Sequence, residues 1–277
     1  MGKSKTDINR RQFLRNSAFA VVALGAAGVG VNYLKALNED NAKTLLRPPG
    51  AIQEDKFIYA CIKCGLCVQI CPIEAVKLAG ISDGLSYGTP YIDPMLQACD
   101  FSCDAMQCVE TCPTAALDFI PFKKAGENAL IDYQKANPAP GPDYNPFIVQ
   151  SQAMKANTRM GLAVVELNTC LAVKGKGFKG VPRESGFKGV YRSPNPKRQE
   201  RKASPVNDHR FDREICDLCV TECPIGETAI ILDEKTGPDG KKQWQPKILD
   251  ACTGCGVCVM VCPTTPPSIT IEKLEMV

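Results

Sequence analysis

Apolar positions along this chain come in short, interrupted runs. The longest, about Ser17 to Val31, is rich in Ala, Gly and Val and follows the basic start N-R-R-Q-F-L-R at Asn9 to Arg15. A basic start, paired arginines, Phe-Leu and a mild apolar run make the twin-arginine export signature. It predicts an N-terminal export helix over 1–36, passage through the twin-arginine translocase and a periplasmic location. The run, roughly 15 residues, falls short of the ~20 needed to span a bilayer. No clean A-x-A cleavage site follows, so a retained, membrane-associated anchor is an open alternative.

The remaining patterned segments are brief. L-R-P-P-G-A at Leu46 to Ala51 closes a stiff, Pro-fixed neck over 37–56. Leu162 to Leu167 reads as a strand. Ile230 to Leu232 and Lys247 to Leu249 flank the turn Gly237 to Gly240 and read as a hairpin. Ile73 to Lys77 and Thr114 to Leu117 follow Cys-Pro pairs and read as short helices. Asn137 to Pro146 reads as a polyproline-like stretch within a cysteine-free linker over 125–158.

Composition changes the picture. Sixteen cysteines accompany a single histidine, His209, which excludes several chemistries. No Cys is followed by His, as c-type haem attachment requires. A Rieske centre needs two histidines. A catalytic triad or histidine-based zinc site would rest on His209 alone, which reads as a solvated loop residue. With 22 Gly and 21 Pro, long regular elements are few, and partly inorganic interiors are expected.

The cysteines fall into four sets. The first is Cys61-x2-Cys64-x2-Cys67-x3-Cys71-Pro72, and the second is Cys99-x3-Cys103-x4-Cys108-x3-Cys112-Pro113. The third is Cys216-x2-Cys219-x3-Cys223-Pro224 with Cys170 far upstream, and the fourth is Cys252-x2-Cys255-x2-Cys258-x3-Cys262-Pro263. Two-residue gaps let one loop reach three corners of a 4Fe–4S cubane, while the distant fourth Cys serves the neighbouring cluster. Zinc commonly takes two separated C-x2-C pairs, and close triads assembled before export oppose disulfides. Two clusters, with the irregular sets degenerate, is the remaining alternative to four.

Motif starts recur 28 and 29 positions after the preceding Cys-Pro, from Cys71 to Cys99 and from Cys223 to Cys252, so the chain duplicates a two-cluster unit. The expected fold is α+β: two tandem dicluster domains like those of bacterial ferredoxins, over 57–124 and 159–277, with short helices, small hairpins and long loops. Adjacent interleaving gives four quartets. Cys61, Cys64 and Cys67 take Cys112, while Cys99, Cys103 and Cys108 take Cys71. Cys170, Cys216 and Cys219 take Cys262, while Cys252, Cys255 and Cys258 take Cys223. The competing arrangement pairs the first motif with the fourth and the second with the third.

Charge is unevenly spread. Residues 1–16 carry a net +4, and 171–215 carry twelve Lys/Arg against five Asp/Glu, a net +7, so the formal +3 of the chain leaves −8 for the remainder. Four clusters at −2 each, thiolates included, would move the total to about −5. The span 171–215 repeats G-F-K-G-V at Gly177 and Gly186 and reads as a solvated, mobile basic insertion. Docking to an acidic or anionic surface is the second reading.

These motifs resemble the NapG/MauM family of exported polyferredoxins, nearest its NapG branch. The resemblance rests on the twin-arginine start, R-P-P-G-A at Arg47, C-I-K-C-G-L-C-V-Q-I-C-P at Cys61, G-T-P-Y at Gly88, R-M-G-L-A-V at Arg159 and A-C-T-G-C-G at Ala251. Two departures stand out: three residues between Cys99 and Cys103, and 45 between Cys170 and Cys216. The resemblance implies a carrier without its own substrate site. It would relay electrons from a NapH-like membrane quinol-oxidising ferredoxin towards periplasmic nitrate reductase. The alternative is service to another exported oxidoreductase, a methylamine or molybdoenzyme system. A non-redox scaffold is the reading from another class.

Overall fold

Short helices and five two-stranded antiparallel ribbons carry the cysteines in the computed structural model, which describes residues 45–103, 106–139, 141, 144–191, 203–236 and 242–273. These residues all belong to one compact unit, Thr44–Val277. The export segment, the start of the neck and the turn Gly237 to Gly240 lie outside the described residues. Among the described residues no helix is long and apolar enough to cross a membrane.

The first cysteine region begins with α1 (Glu54–Ala60) and α2 (Leu66–Gln69), then pairs β1 (Val76–Leu78) with β2 (Pro90–Ile92), and ends at α3 (Gln107–Glu110). Phe57 of α1 is fully buried, with the Arg47 guanidinium 4.8 Å from its ring centre. Truncating such a ring to Ala costs about 3–5 kcal/mol. Arg47 itself is buried and satisfied: it donates to Glu54, Ser86, Thr89 and the Pro90 carbonyl.

No helix follows Cys71-Pro72 or Cys112-Pro113, against the sequence expectation. Three residues past each cysteine the backbone turns left-handed, at Glu74 (φ 54°) and Ala115 (φ 54°). Gly226 (φ 81°) does the same after Cys223. A left-handed residue cannot continue a right-handed helix. The short helices instead precede the last cysteine and carry the third one, as α2 carries Cys67 and α3 carries Cys108.

The supposed linker is a helical hairpin: α4 (Ile120–Ala136) packs on α5 (Pro146–Ala156). Each has a proline in its first turn, where the missing N–H costs nothing. The Asn145 side chain caps α5 by accepting from the Phe147 amide at 3.0 Å. Tyr133 and Tyr144 stack across the turn with ring centres 5.0 Å apart. Pro146, which read as the end of an extended spacer, therefore marks a helix start.

The second region opens with β3 (Gly161–Val165), which covers most of the expected strand. The basic insertion follows, and it is not a free loop. β4 (Phe178–Gly180) and β5 (Val190–Tyr191) leave on one side, and β6 (Ser204–Pro205) and β7 (Phe211–Arg213) return; β4 pairs with β7 and β5 with β6. Tyr191 and Val206 are fully buried in the main core. The Gln97 side chain donates to the Val190 carbonyl at 2.6 Å and accepts from its amide at 2.8 Å. Arg183 donates to the carbonyls of Met260 (2.9 Å) and Val259 (2.7 Å). His209 is half-buried, its Nε2 bonded to the Ser204 hydroxyl at 2.8 Å and its ring edge-on to Tyr191. The part of the insertion at 192–202 lies outside the described residues.

After α6 (Leu218–Thr221), β8 (Ile230–Thr236) and β9 (Lys242–Ile248) form the expected hairpin, in register Ile230↔Ile248. α7 (Val257–Met260) precedes β10 (Ile269–Lys273), which returns to pair with β3, Ile269 opposite Val165. One core runs from Phe57 and Leu117 through Phe101 and Met106 to Val257 and Met260. A smaller one joins Ala163, Ile230, Val259 and Ile269. The chain is α+β, as its sequence indicates.

Candidate iron–sulfur sites

Each short helix begins just before its cysteine, and the conformation there aims the thiols. In the regular first and fourth motifs, Gly65 (φ 75°) and Gly256 (φ 84°) are left-handed at the helix start, a conformation glycine adopts without strain. Met106 (φ 57°) takes that place in the second motif, where a larger residue carries the strain.

The thiols gather in four quartets. Cys61, Cys64, Cys67 and Cys112 line one cavity with Phe57, Leu66 and Leu117. Cys103 and Cys108 lie within electrostatic reach of Cys71, and Cys99 within reach of both. Cys170, Cys216, Cys219 and Cys262 line a second cavity with Leu171, Leu218 and Ile269. Cys255 and Cys258 face Cys223 and Cys252. Cys71 thus lies near Cys103 and Cys108, and Cys262 near Cys170, Cys216 and Cys219. Cys170 is buried beside Cys216 despite the long insertion.

All sixteen thiols are free. Among the described residues, no group of three or more His, Cys, Asp or Glu closes on a single metal ion. The first and third quartets instead each line a cavity.

Burial pushes the Cys67 thiol up to about 11, and neighbouring Cys61, Cys64 and Cys112 add to it. Burial likewise takes Cys216 to about 11 and Cys255 to about 12. Cys99, Cys108, Cys219 and Cys258 are also pushed well up, by burial first and adjacent thiols second. Thiolates so crowded and desolvated need positive charge among them, which a metal core supplies while displacing the protons.

Donors already point at the sulfurs. Cys71 Sγ accepts from the Ala75 amide at 3.3 Å, Cys112 Sγ from Leu117 at 3.4 Å, and Cys262 Sγ from Ser268 at 3.3 Å. Backbone amides of Phe101, Met106, Gln107, Leu218, Ile225 and Val257 serve other cysteines. Thr264 Oγ1 lies 3.2 Å from Cys262 Sγ. The cavities, the quartets and these amide dipoles fit the thiolate ligation of iron–sulfur clusters. Sequence reasoning missed Thr264. Its signal was proximity to Cys262, which alone does not reveal where a hydroxyl points.

Residues 60–116 and 214–265 each match the family described as the 4Fe-4S dicluster domain. The class is therefore that of ferredoxin-type iron–sulfur electron-transfer proteins with two dicluster regions. The chain is 31% identical over 277 residues to the ferredoxin-type protein NapG of Escherichia coli, covering 99% of this chain and 89% of that one. It is 28% identical over 279 residues to the methylamine utilization ferredoxin-type protein MauM of Methylorubrum extorquens, covering 100% and 94%. A MauM protein of Paracoccus denitrificans is 30% identical over 261 residues, covering 91% and 84%. No solved structure matches. The chain belongs to the NapG/MauM family of ferredoxin-type proteins.

Proposed function

We propose that the chain is a periplasmic electron relay holding four 4Fe–4S clusters. Site 1 is Cys61, Cys64, Cys67 and Cys112; site 2 is Cys99, Cys103, Cys108 and Cys71. Site 3 is Cys170, Cys216, Cys219 and Cys262; site 4 is Cys252, Cys255, Cys258 and Cys223. The gathering of sixteen thiols into four quartets carries this reading.

When bound, each cluster accepts and returns one electron. The surrounding residues set the conditions for that exchange. Buried side chains such as Leu117 and Leu218 keep water from the sulfurs, and the Ala75, Leu117 and Ser268 amides stabilise negative charge on them. The chain has no substrate site of its own in this reading. It would be exported by the twin-arginine translocase, take electrons from a NapH-like membrane quinol-oxidising ferredoxin and pass them towards periplasmic nitrate reductase. Likeness to NapG supports that pathway. Likeness to MauM, at similar identity, favours a second reading in which the acceptor belongs to methylamine oxidation.

Anaerobically prepared protein should hold about sixteen iron and sixteen acid-labile sulfides per chain. About eight of each in a folded preparation would overturn the four-site reading. Reduction by quinol in membranes containing the NapH-like partner, and not without it, tests the pathway. Reoxidation by nitrate reductase or by a methylamine system distinguishes the two acceptors.

A further inference from the structure

We infer that the four sites form a single unbranched line in the order 1–2–4–3, with sites 2 and 4 joined at its centre. This rests on the four-site reading above but not on any particular donor or acceptor.

Within each region the link is made by the short helices. α2 packs on α3, and Cys67 of site 1 lies within electrostatic reach of Cys108 of site 2. In the second region α6 packs on α7, and Cys219 of site 3 reaches Cys258 of site 4. Neither link joins the two regions.

That join is made elsewhere. The Cys99 amide donates to the Cys255 carbonyl at 3.1 Å, so a cysteine of site 2 bonds directly to a cysteine of site 4. Beside it the Ala98 amide donates to Met260 Sδ at 3.5 Å, and both residues are fully buried. A Cβ on Gly256 would come within 2.6 Å of the Pro94 ring, so the two segments already touch. The path from Cys99 Sγ to Cys255 Sγ crosses covalent bonds and one hydrogen bond. An electron using it leaves one quartet a unit more oxidised and the other a unit more reduced, with no proton moved.

The basic insertion holds this junction from outside. Gln97, two residues before Cys99, grips both backbone groups of Val190. Arg183, earlier in the insertion, donates to the carbonyls of Val259 and Met260, at the end of the helix that carries Cys258. The insertion is thus a strap bonded to both regions. Gln97 and Arg183 are positioning residues for sites 2 and 4.

Electron paramagnetic resonance of the full-length, cluster-loaded protein, reduced with dithionite, tests the order. Emptying site 4 with Cys252→Ala and Cys258→Ala should leave the site 3 signal isolated, its half-saturation power falling several-fold, while sites 1 and 2 still broaden each other. Emptying site 3 with Cys170→Ala and Cys219→Ala should leave sites 1, 2 and 4 as one interacting set. A site 3 signal still coupled to the first region after site 4 is emptied would overturn the order. So would a site 4 signal uncoupled from the first region by emptying site 3. Should a site-emptying variant fail to fold, Gln97→Ala with Arg183→Ala leaves every ligand in place. It should retain full iron yet weaken the interaction between the two regions, and an unchanged spectrum would overturn the strap and the junction together. A wild-type protein with too little iron would instead defeat the four-site reading, and electron transfer to partners plays no part in these spectra.

Discussion

Lys273, at the end of β10, donates to Glu54 in the first turn of α1 at 2.8 Å, across 219 positions of sequence. With Arg47 on its other side, Glu54 ties the neck to the last strand of the second region. Burial alone would raise the Glu54 carboxyl, but hydrogen bonds and charge from Arg47 and Lys273 outweigh it and hold it below its ordinary value. A depressed carboxyl contributes stability above its unfolded pKa and loses it as pH falls through the folded one. The acid limb of the stability curve should therefore begin near pH 4.5. Glu54→Gln should flatten that limb and lower stability at neutral pH by about 1–2 kcal/mol, the exposed side of the network being discounted. Thermal unfolding of the cluster-loaded protein between pH 3 and pH 7 measures both effects, and a variant with the wild-type acid limb would remove Glu54 as its source.

Sulfur-directed hydroxyls set potentials. Thr264→Ala removes the hydroxyl beside Cys262. Its loss should lower the potential of that site by roughly 20–60 mV, equivalent to a differential of 0.5–1.5 kcal/mol between oxidised and reduced states. Potentiometric titration with unchanged iron content separates tuning from simple loss of the site.

Cys170 is a long-range member of its quartet. Cys170→Ala should lose site 3 or convert it to a 3Fe form while the first region keeps its full complement. Retention of all iron with an unchanged cluster spectrum would make Cys170 a bystander.

The insertion has two parts with different consequences. Replacing 192–202 by a short Gly-Ser segment should leave iron content unchanged, because Tyr191 and Ser204 pair on either side of it. Tyr191→Ala, by contrast, removes a fully buried ring and should cost about 3–5 kcal/mol. Equal stability of the two variants would contradict the docked arrangement.

In the proposed reading, export would depend on arginine specifically. Replacing Arg10 and Arg11 by Lys keeps the charge and should leave the protein in the cytoplasm, as cell fractionation would show. Normal arrival of this variant in the periplasm would remove the basis for the localisation.

What could be read from the sequence was local. Cysteine spacing marked both dicluster regions, and the apolar runs at Leu162 and Ile230 marked strands whose partners proved to be β10 and β9. What escaped was set by backbone conformation or by distance. Glu74 and Ala115 give no compositional hint of the left-handed turns that forbid helices after Cys-Pro. Pro146 starts a helix although the residues around it read as a spacer. The insertion appeared free because its partners are remote: Gln97 lies 93 positions from Val190, and Arg183 lies 77 from Met260.

The Cys99–Cys255 bond is made entirely by main-chain atoms. Every residue type except proline supplies that donor, and every residue supplies that acceptor. Side-chain drift over long divergence can therefore erode the likeness between the two copies of a duplicated unit without cutting the connection between them. The joint is inherited with the path of the chain, not with its spelling, and the halves are free to specialise for different neighbours while remaining one conductor.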